Sequence, residues 1–538
     1  MENKRRILSK LVLPLTLLCV LALGVLIGVR VSKHNIQQDF LMMQRWNKMN
    51  AVLSIIGKEY VDTVDNTALE EQTITHVLKT LDPHSVYIPA SQMKGANEEL
   101  DGTFEGIGIM FNMLTDTAQV INTIAGGPSQ RVGVWAGDKI ITVNDSIVAG
   151  RKVPQDSIVR LLRGKRGSQV TIGVSRTGES QLIPFTIERG NIPIKSVEAA
   201  YMLTPQIGFI KLSKFSRTTY DEVIESVQQL QTGGMESLVL DLRGNGGGFL
   251  DQAFDVLDEF FEKGVLLVYT EGRARVRQNL VATSNGALKS TPVAVLIDEG
   301  SASASEIVAG AIQDNDRGWV IGRRSFGKAL VQEPINFSDR SGIRLTVARY
   351  YTPTGRCIQR PYSDGETEYY KDIQRRYEHG EFSASDSIVQ NKDQQYKTPK
   401  GKIVYGGGGI TPDIFVPVDT SGVNDFFQSV YRKNLIYKFA LQFTDNNRAA
   451  LRKIETLAQL KRYLYYRNLA PAFATYAAQQ GITANERQLK ECTPLLNAQI
   501  KALIGRTTKL DDIGFYVFLN PIDNTVQTAI KTLKNNKL

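Results

Sequence analysis

Residues 291–332 read TPVAVLIDEGSASASEIVAGAIQDNDRGWVIGRRSFGKALVQ, and this stretch decides the fold of the central part of the chain. It opens with an apolar run, Val293–Ile297, which is too short for a buried helix and rich in β-branched side chains. Such a run predicts a strand buried on both faces of a sheet. Small residues at 300–303 then indicate a turn, and the apolar positions within 306–312 indicate a helix. The stretch therefore predicts a strand–turn–helix unit of an α/β core.

Ser303 lies in the predicted turn, where a helix N-terminus leaves backbone amides unpaired. Such amides can hold the negative oxygen that forms when a hydroxyl attacks a carbonyl. A serine needs a base to become a nucleophile, and none of the 4 histidines of the chain lies in this stretch. Lys328 does lie there, and a lysine acts as a base only if burial lowers its pKa enough to leave it neutral.

Gln332 follows Lys328 closely and is a candidate for holding its amine in place. On a helical turn, residues four apart lie on one face, and the two side chains would meet. On a strand they would be about 13 Å apart, and the pairing would fail. Both conformations remain open at this point.

The segments GSASASEIVAGAIQD and SFGKALVQ resemble the active-site signature of the C-terminal processing proteases, also called tail-specific proteases. These are serine endopeptidases with a Ser–Lys pair supported by a glutamine. The resemblance implies a crotonase- and ClpP-like α/β core, with Ser303 as nucleophile, Lys328 as general base and Gln332 as the residue that orients the base. Ser301 and Ser305 are then expected to cap or pack the turn.

The segment LDLRGNGGG, residues 240–248, resembles the oxyanion loop of this family, although Gly246 stands where proline is common. Glycines let backbone amides approach an anion closely. We predict that the amides of Gly247 and Ala304 form an oxyanion hole. The alternative is a turn that merely needs glycine.

Residues 98–190 resemble a PDZ domain, because a glycine-rich loop, a Gly-Asp turn, a helix at 157–163 and a strand at 170–174 follow in PDZ order. Such a loop offers amides to a terminal carboxylate, and the adjoining strand edge pairs with an extended peptide. The expected substrate-binding residues are Gly106, Ile107, Gly108 and Ile109.

The N-terminus combines a basic cluster, residues 4–6, with an uncharged run from Leu11 to Val29 that is long enough to span a bilayer. The basic cluster favours an N-terminus that stays in the cytoplasm. We expect an uncleaved single-pass anchor in the inner (cytoplasmic) membrane, with the catalytic portion extracytoplasmic, in the periplasm. A cleaved secretion signal is the alternative, although no small-x-small cleavage site follows cleanly.

Three further regions frame the predicted domains. Residues 36–80 have a helical pattern that leads to the turn LDPHSVYI, where His84 is expected to be structural rather than catalytic. Residues 362–402 are polar and are expected to form a partly mobile insertion. The last 120 or so residues look helical and lie outside the resemblance; packing on the core, dimerisation and docking of a partner all remain open for them.

The expected fold class is multidomain α+β. The predicted boundaries are 1–31 for the cytoplasmic stub and transmembrane anchor, 32–97 for a helical segment, 98–190 for the PDZ domain, 191–418 for the Ser-Lys protease core and 419–538 for a C-terminal helical extension.

Composition restricts the functions that the chain can have. Its net charge of +9 over 538 residues comes from scattered basic residues, which argues against a nucleic-acid partner. The 3 cysteines show no metal-ligand spacing, and the expected chemistry needs no metal or organic cofactor. We therefore predict an endopeptidase that captures protein C-termini, with a homodimer or an adaptor protein as a further partner. The alternatives are an inactive PDZ-containing scaffold and a crotonase-like thioester enzyme.

Overall fold

The computed structural model describes residues 20–21, 23–24, 48–113, 116–283 and 286–535. The chain divides into two compact units, Met1–Leu81 and Asp82–Leu538. The first unit contains helix α1 (48–59) and helix α2 (Asn66–Lys79), which begins after the capping side chain of Asp65.

The predicted membrane anchor, Leu11–Val29, lies outside the described residues except at 20–21 and 23–24. Within the ranges that are described, no helix has both the length and the apolar character that a bilayer crossing requires.

The strands of the second unit are, in chain order, β1 (Val86–Ile88), β2 (Thr103–Gly106), β3 (Ile109–Asn112), β4 (Ala118–Thr123), β5 (Lys139–Val143), β6 (Ser146–Ile147), β7 (Gln169–Ser175), β8 (Ile183–Glu188), β9 (Gly190–Pro193), β10 (Val197–Met202), β11 (Ile207–Leu212), β12 (Ser237–Asp241), β13 (Leu266–Gly272), β14 (Arg275–Val281), β15 (Val293–Ile297), β16 (Trp319–Gly322), β17 (Leu330–Asn336), β18 (Gly342–Tyr351), β19 (Gln395–Lys397), β20 (Ile403–Tyr405) and β21 (Ile414–Phe415). Its helices are α3 (Ala90–Asp101), α4 (Pro128–Val132), α5 (Gln155–Leu162), α6 (Thr219–Thr232), α7 (Leu250–Asp258), α8 (Ala304–Asp314), α9 (Glu366–Glu378), α10 (Asp425–Arg432), α11 (Leu435–Asn446), α12 (Arg448–Leu451), α13 (Leu457–Leu464), α14 (Ala470–Gln479), α15 (Glu486–Arg506), α16 (Asp511–Leu519) and α17 (Asn524–Asn535).

A six-stranded sheet with the order β10-β11-β12-β15-β16-β21 forms the centre of the second unit. Its pairs are parallel except for β10 and β11. Strand β15 is buried throughout, with Val295 and Ile297 in one core and Ala294 and Leu296 in the other. The prediction of a central strand buried on both faces is confirmed.

Different helices cover the two faces of this sheet. Helices α6, α7 and α8 pack on the face that carries Val295. On the opposite face, C-terminal residues such as Val430, Leu496 and Val526 share a core with Leu296. The helical extension thus packs on the protease core, which is one of the three roles that the sequence left open.

A second sheet has the order β1-β18-β13-β14, and β17 pairs with the long strand β18. The polar region 362–402 contains helix α9, with Tyr369 and Arg376 buried, and strand β19, which pairs with β20 just after the region. This region was expected to leave the core as a partly mobile excursion, but aromatic and arginine side chains anchor it instead.

The PDZ region forms a sheet with the order β3-β4-β5-β7-β8, and β6 pairs with β5. Its own core includes Ile158 and Leu162 of α5, the helix that the sequence predicted at 157–163. Strand β3 pairs with β4 and lies at one end of this sheet in the described part of the chain.

Candidate active site

Ser303 lies at a sharp turn between β15 and α8. Its φ of 55° and ψ of −115° are rare for a residue with a side chain. Conformations of this kind cost about 1–3 kcal/mol and persist only where the surroundings enforce them. Here the carboxylate of Asp298 helps to hold the turn, since it accepts hydrogen bonds from the amides of Gly244 and Gly300 at 2.8 and 3.0 Å.

The two neighbouring serines have structural contacts. Ser301 Oγ donates to the Leu242 carbonyl at 2.8 Å, and Ser305 Oγ donates to the Asn245 carbonyl at 2.9 Å. Both side chains are fully buried. They join the turn to the glycine-rich loop after β12, whereas Ser303 is the serine of the three that lines the adjoining cleft.

Glu306, in the first turn of α8, binds backbone amides both at Ser303 and at the segment that carries Lys328. Its buried carboxylate accepts hydrogen bonds from the amides of Ser303, Gly327 and Lys328 at 2.9, 2.7 and 2.8 Å, and from the Ser325 hydroxyl at 2.5 Å. Burial raises the pKa of Glu306 to about 7, although the four donors favour the charged form.

Lys328 is half-buried, and its amine donates a hydrogen bond to Gln332 Oε1 at 3.2 Å. Burial lowers the pKa of Lys328 below its ordinary value. Among nearby charges, Glu306 and Asp82 oppose this shift, and Arg344 adds to it. The environment therefore makes this amine easier to deprotonate than an ordinary lysine amine.

Gln332 lies in strand β17 and not on a helical turn. The spacing argument for two residues of one strand does not apply, because Lys328 precedes β17. The two side chains meet as expected, and the register shifts between Val331 and Gln332. Gln332 Nε2 donates to the backbone carbonyl of His84, so the carboxamide oxygen is the atom that meets the Lys328 amine.

The predicted oxyanion hole differs from the sequence-based expectation. The Gly247 amide donates to Asn245 Oδ1 at 2.9 Å, so in this conformation it is already engaged. Gly247 is needed for space and conformation, since its φ is 100° and a Cβ would lie 2.8 Å from Ser303 Cβ. The Ala304 amide, at the start of α8, donates to no acceptor within the described residues.

Ser303 and Lys328 line one cleft of about 530 Å³. No hydrogen bond joins the Ser303 hydroxyl to the Lys328 amine in the described part of the chain. The cleft combines apolar side chains with two arginines and the carboxylate of Asp101. Its other lining residues include Ile88, Met93, Leu100, Arg217, Phe249, Leu250, Ile307, Leu330, Val331 and Arg344.

His84 lies beside this cleft, and the structure agrees with the structural role expected for its side chain. Its Nε2 is hydrogen-bonded to Tyr369 Oη at 2.9 Å. Burial, and then the charge of Lys328, lowers the pKa of His84 to about 4. The ring is therefore neutral near pH 7 and adds no second positive charge beside Lys328.

The glycine-rich loop of the PDZ region is rigidly held. Ile107 is buried, and its carbonyl accepts hydrogen bonds from the Ser129 amide and hydroxyl at 3.0 and 2.7 Å. Gly108 has a φ of 73°, which a side chain would disfavour. Among the described residues, the amides of Ile107 and Gly108 donate to no acceptor and are available to a carboxylate.

Sequence reasoning missed two residues that tie the site together. Tyr350 donates from its hydroxyl to the carbonyls of Lys328 and Ser303 at 2.6 and 3.2 Å. No local pattern around Tyr350 points to this contact. Glu306 did leave a signal, because a serine followed three positions later by glutamate is a capping-box pattern.

Three family models match the chain. The model of Peptidase family S41 matches residues 206–367, which contain Ser303, Lys328 and Gln332. The model of the PDZ domain matches residues 106–187, and a family of unknown function matches residues 426–508. The fold, the cleft and these matches define a serine-type peptidase with a PDZ domain.

Two similar proteins are named carboxy-terminal processing proteases. The carboxy-terminal-processing protease of Bartonella bacilliformis is 35% identical over 337 residues, which cover 61% of this chain and 75% of that protein. The carboxy-terminal processing protease CtpB of Bacillus subtilis is 33% identical over 327 residues, covering 60% and 68%. A solved structure, the photosystem II D1 C-terminal processing protease, is 27% identical with a TM-score of 0.36 and covers 69% of this chain and 86% of that one. The chain belongs to the carboxy-terminal processing proteases of peptidase family S41.

Proposed function

We propose that the protein hydrolyses peptide bonds by a Ser–Lys mechanism through an acyl-enzyme. The observation that carries this proposal is the Lys328 amine, held at 3.2 Å from Gln332 Oε1 on the wall of the cleft that Ser303 lines. A desolvated lysine in the same cleft as a serine can serve as the base for nucleophilic catalysis, and the nearby His84 ring is instead hydrogen-bonded to Tyr369.

In the first half of the reaction, Ser303 Oγ attacks the substrate carbonyl carbon, and the neutral Lys328 amine takes the hydroxyl proton. The oxyanion that forms lies against the amide of Ala304, with a second donor from Gly247 once Asn245 releases its amide. Collapse of this intermediate breaks the C–N bond, and the Lys328 ammonium gives its proton to the leaving amine.

In the second half, water attacks the ester carbonyl of the acyl-enzyme, and Lys328 takes a proton from that water. Collapse releases the new carboxylic acid, and the proton returns from Lys328 to Ser303 Oγ. The catalytic groups end in the state in which they began, so no redox partner is consumed.

The substrates are proteins or peptides with free C-termini, which the PDZ region captures. The terminal carboxylate meets the amides of the Gly106–Ile109 loop, and the peptide adds as a strand beside β3. The cleft lies in the same compact unit and receives the chain upstream of the captured tail.

The test uses the full chain and an unfolded protein substrate in three forms: with its natural C-terminus, with that C-terminus amidated, and without its last five or so residues. Cleavage should be fast only for the first form. The Ser303→Ala variant should bind it and cleave none. Cleavage of an acyl thioester in place of peptides would contradict the proposal, and so would full peptide binding without cleavage by the wild-type chain.

We also propose that the uncharged run Leu11–Val29 anchors the chain in the inner membrane, with everything after it outside the cytoplasm. The test adds protease to intact spheroplasts that carry the full chain. Digestion of the PDZ region with retention of a short N-terminal fragment in the membrane supports the proposal. Protection of the whole chain contradicts it, and release of the intact catalytic portion indicates a cleaved signal.

A further inference from the structure

The insertion at 362–402 contacts both segments that position Lys328. One segment is the loop 323–327, which leads into Lys328. The other is the turn 82–85, whose carbonyl orients Gln332. Helix α9 of the insertion reaches both, through Arg376 near its C-terminal end and Tyr369 in its first turn.

Arg376 binds the backbone of the loop that leads to Lys328. Its guanidinium donates to the carbonyl of Arg324 at 2.6 Å and to that of Ser325 at 3.0 Å. The side chain is buried, and Glu381 pairs with both Arg376 and Arg324 at 2.9 and 2.6 Å. Two fixed carbonyls leave this loop little freedom to move away from α9.

Tyr369 binds the turn on the other side of Lys328. Its hydroxyl is hydrogen-bonded to His84 Nε2 at 2.9 Å, and its ring is 2% exposed. The backbone carbonyl of His84 accepts the Gln332 carboxamide, whose oxygen accepts from the Lys328 amine. A continuous chain of contacts therefore runs from α9 through His84 and Gln332 to Lys328.

The two contacts are joined by a stack of side chains. The guanidinium of Arg360 lies 3.9 Å from the ring centres of both Phe326 and Tyr369. Phe326 belongs to the loop before Lys328, so the stack packs that loop directly against α9. Arg360 also pairs with Asp372 of α9 at 3.0 Å.

We propose that α9 is a positioning element for the general base and that Tyr369 is its key positioning residue, acting on Lys328 through His84 and Gln332. This inference rests on the proposed roles of Lys328 and Gln332. In this proposal the insertion 362–402, although distant in sequence from Ser303, determines the orientation of the Lys328 amine.

The test replaces Tyr369 by phenylalanine in the full chain, which removes the hydroxyl and keeps the ring in its stack. We expect kcat to fall about 10-fold with KM within about 2-fold of wild type, because misplacing a catalytic group costs rate more than binding. Tyr377→Phe is the matched control, since Tyr377 lies on the same helix, is 67% exposed and keeps its ring contact with Phe382.

A double-mutant cycle separates positioning from general stability. His84→Ala, which leaves the backbone carbonyl in place, should lower kcat about as much as Tyr369→Phe, and the double variant should be no slower than the slower single one. Additive losses in kcat would overturn the proposal. So would a Tyr369→Phe variant with wild-type kcat, whether or not its thermal stability changes.

Lys328→Ala, measured in parallel, distinguishes a failure of the proposed Ser–Lys function from a failure of the inference about α9. If Lys328→Ala cleaves at the wild-type rate, the proposed function fails and the inference fails with it. If Lys328→Ala is inactive while Tyr369→Phe matches wild type, the inference alone fails. Loss of turnover in Lys328→Ala with a partial loss confined to kcat in Tyr369→Phe supports both.

Discussion

Ser303 and Lys328 line the same cleft, but the chain holds the two side chains in place in different ways. Ser303 is held mostly within its own turn, where Asp298 accepts from the Gly300 amide and Glu306 from the Ser303 amide, with the Tyr350 hydroxyl as a more distant contact. Lys328 depends on distant residues, because its partner Gln332 is oriented by a carbonyl 248 positions away.

The two arrangements also carry different energetic costs. The elbow at Ser303 stores backbone strain of about 1–3 kcal/mol, which is set once the strand and helix have formed. Lys328 carries the cost of a desolvated amine, which appears as its lowered pKa. We therefore expect the position of the Ser303 side chain to be less sensitive than that of Lys328 to substitutions elsewhere in the molecule.

The largest expected effect comes from removing the base while keeping the elbow. Lys328→Met retains a long apolar stem without a proton acceptor, and we expect kcat to fall by about 10³-fold or more. Steady-state cleavage of the unfolded substrate measures it, with thermal unfolding as the check that the fold is intact. A rate within tenfold of wild type would show that Lys328 is not the base.

Glu306→Gln perturbs a set of contacts that the Ser303 side and the Lys328 side share. A carboxamide cannot accept from all four donors that surround Glu306, so buried amides lose their acceptor at about 1–3 kcal/mol each. We expect kcat to fall by about 10²-fold, measured with the same substrate. A wild-type rate would mean that the two sides are positioned independently.

The pH profile of the same variant tests the sign of the electrostatics. Glu306 raises the pKa of Lys328, so Glu306→Gln should lower it and move the rising limb of log kcat/KM to lower pH. Arg344 lowers that pKa, so Arg344→Gln should move the limb to higher pH, with Asp82 unchanged in both variants. Limbs that move in the same direction would contradict this assignment.

Gln332→Ala changes the base side alone. The amine loses its 3.2 Å partner but keeps its burial, so we expect kcat to fall about 10-fold with little change in the unfolding temperature. If Gln332→Ala also lowered the unfolding temperature, Gln332 would be holding β17 in place as well as the amine, and its loss of activity could not be assigned to the amine alone.

Comparing Ser303→Gly with Ser303→Ala isolates the strain of the turn, and the difference in stability between these two variants is the smallest expected effect. Ser303→Ala and Ser303→Gly both remove the nucleophile, but only glycine tolerates a φ of 55° without strain. We expect the glycine variant to be about 1 kcal/mol more stable than the alanine variant in denaturant unfolding. An alanine variant of equal or greater stability would argue that the turn is not strained.

The same contrast between local and distant contacts explains how much of the fold and the site could be predicted from sequence. Strand β15, helix α8 and the elbow follow from a continuous apolar run, small residues and a helical pattern, all of which are local. The contact between Lys328 and Gln332 was expected from the family resemblance alone, because the spacing argument gave opposite answers for a helix and a strand and did not foresee the register shift in β17. Sequence spacing describes regular elements and is silent about such a shift.

Two other features escaped prediction for related reasons. Gly247 was expected to offer its amide, but the side chain of Asn245, two positions earlier, accepts that amide. The insertion was expected to be an excursion, yet Tyr369 and Arg376 bury themselves against turns far away in sequence. Neither a local side-chain bond nor a distant packing partner leaves a periodic pattern.

We expect above all that burial makes the Lys328 amine easier to deprotonate than an ordinary lysine amine. The direct measurement is a ¹⁵N NMR titration of the lysine amines in the full-length Ser303→Ala protein, with the Lys328 signal assigned by its loss when Lys328→Met is added. The account predicts a titration midpoint below the ordinary lysine value of about 10.4. A midpoint at or above that value would contradict it.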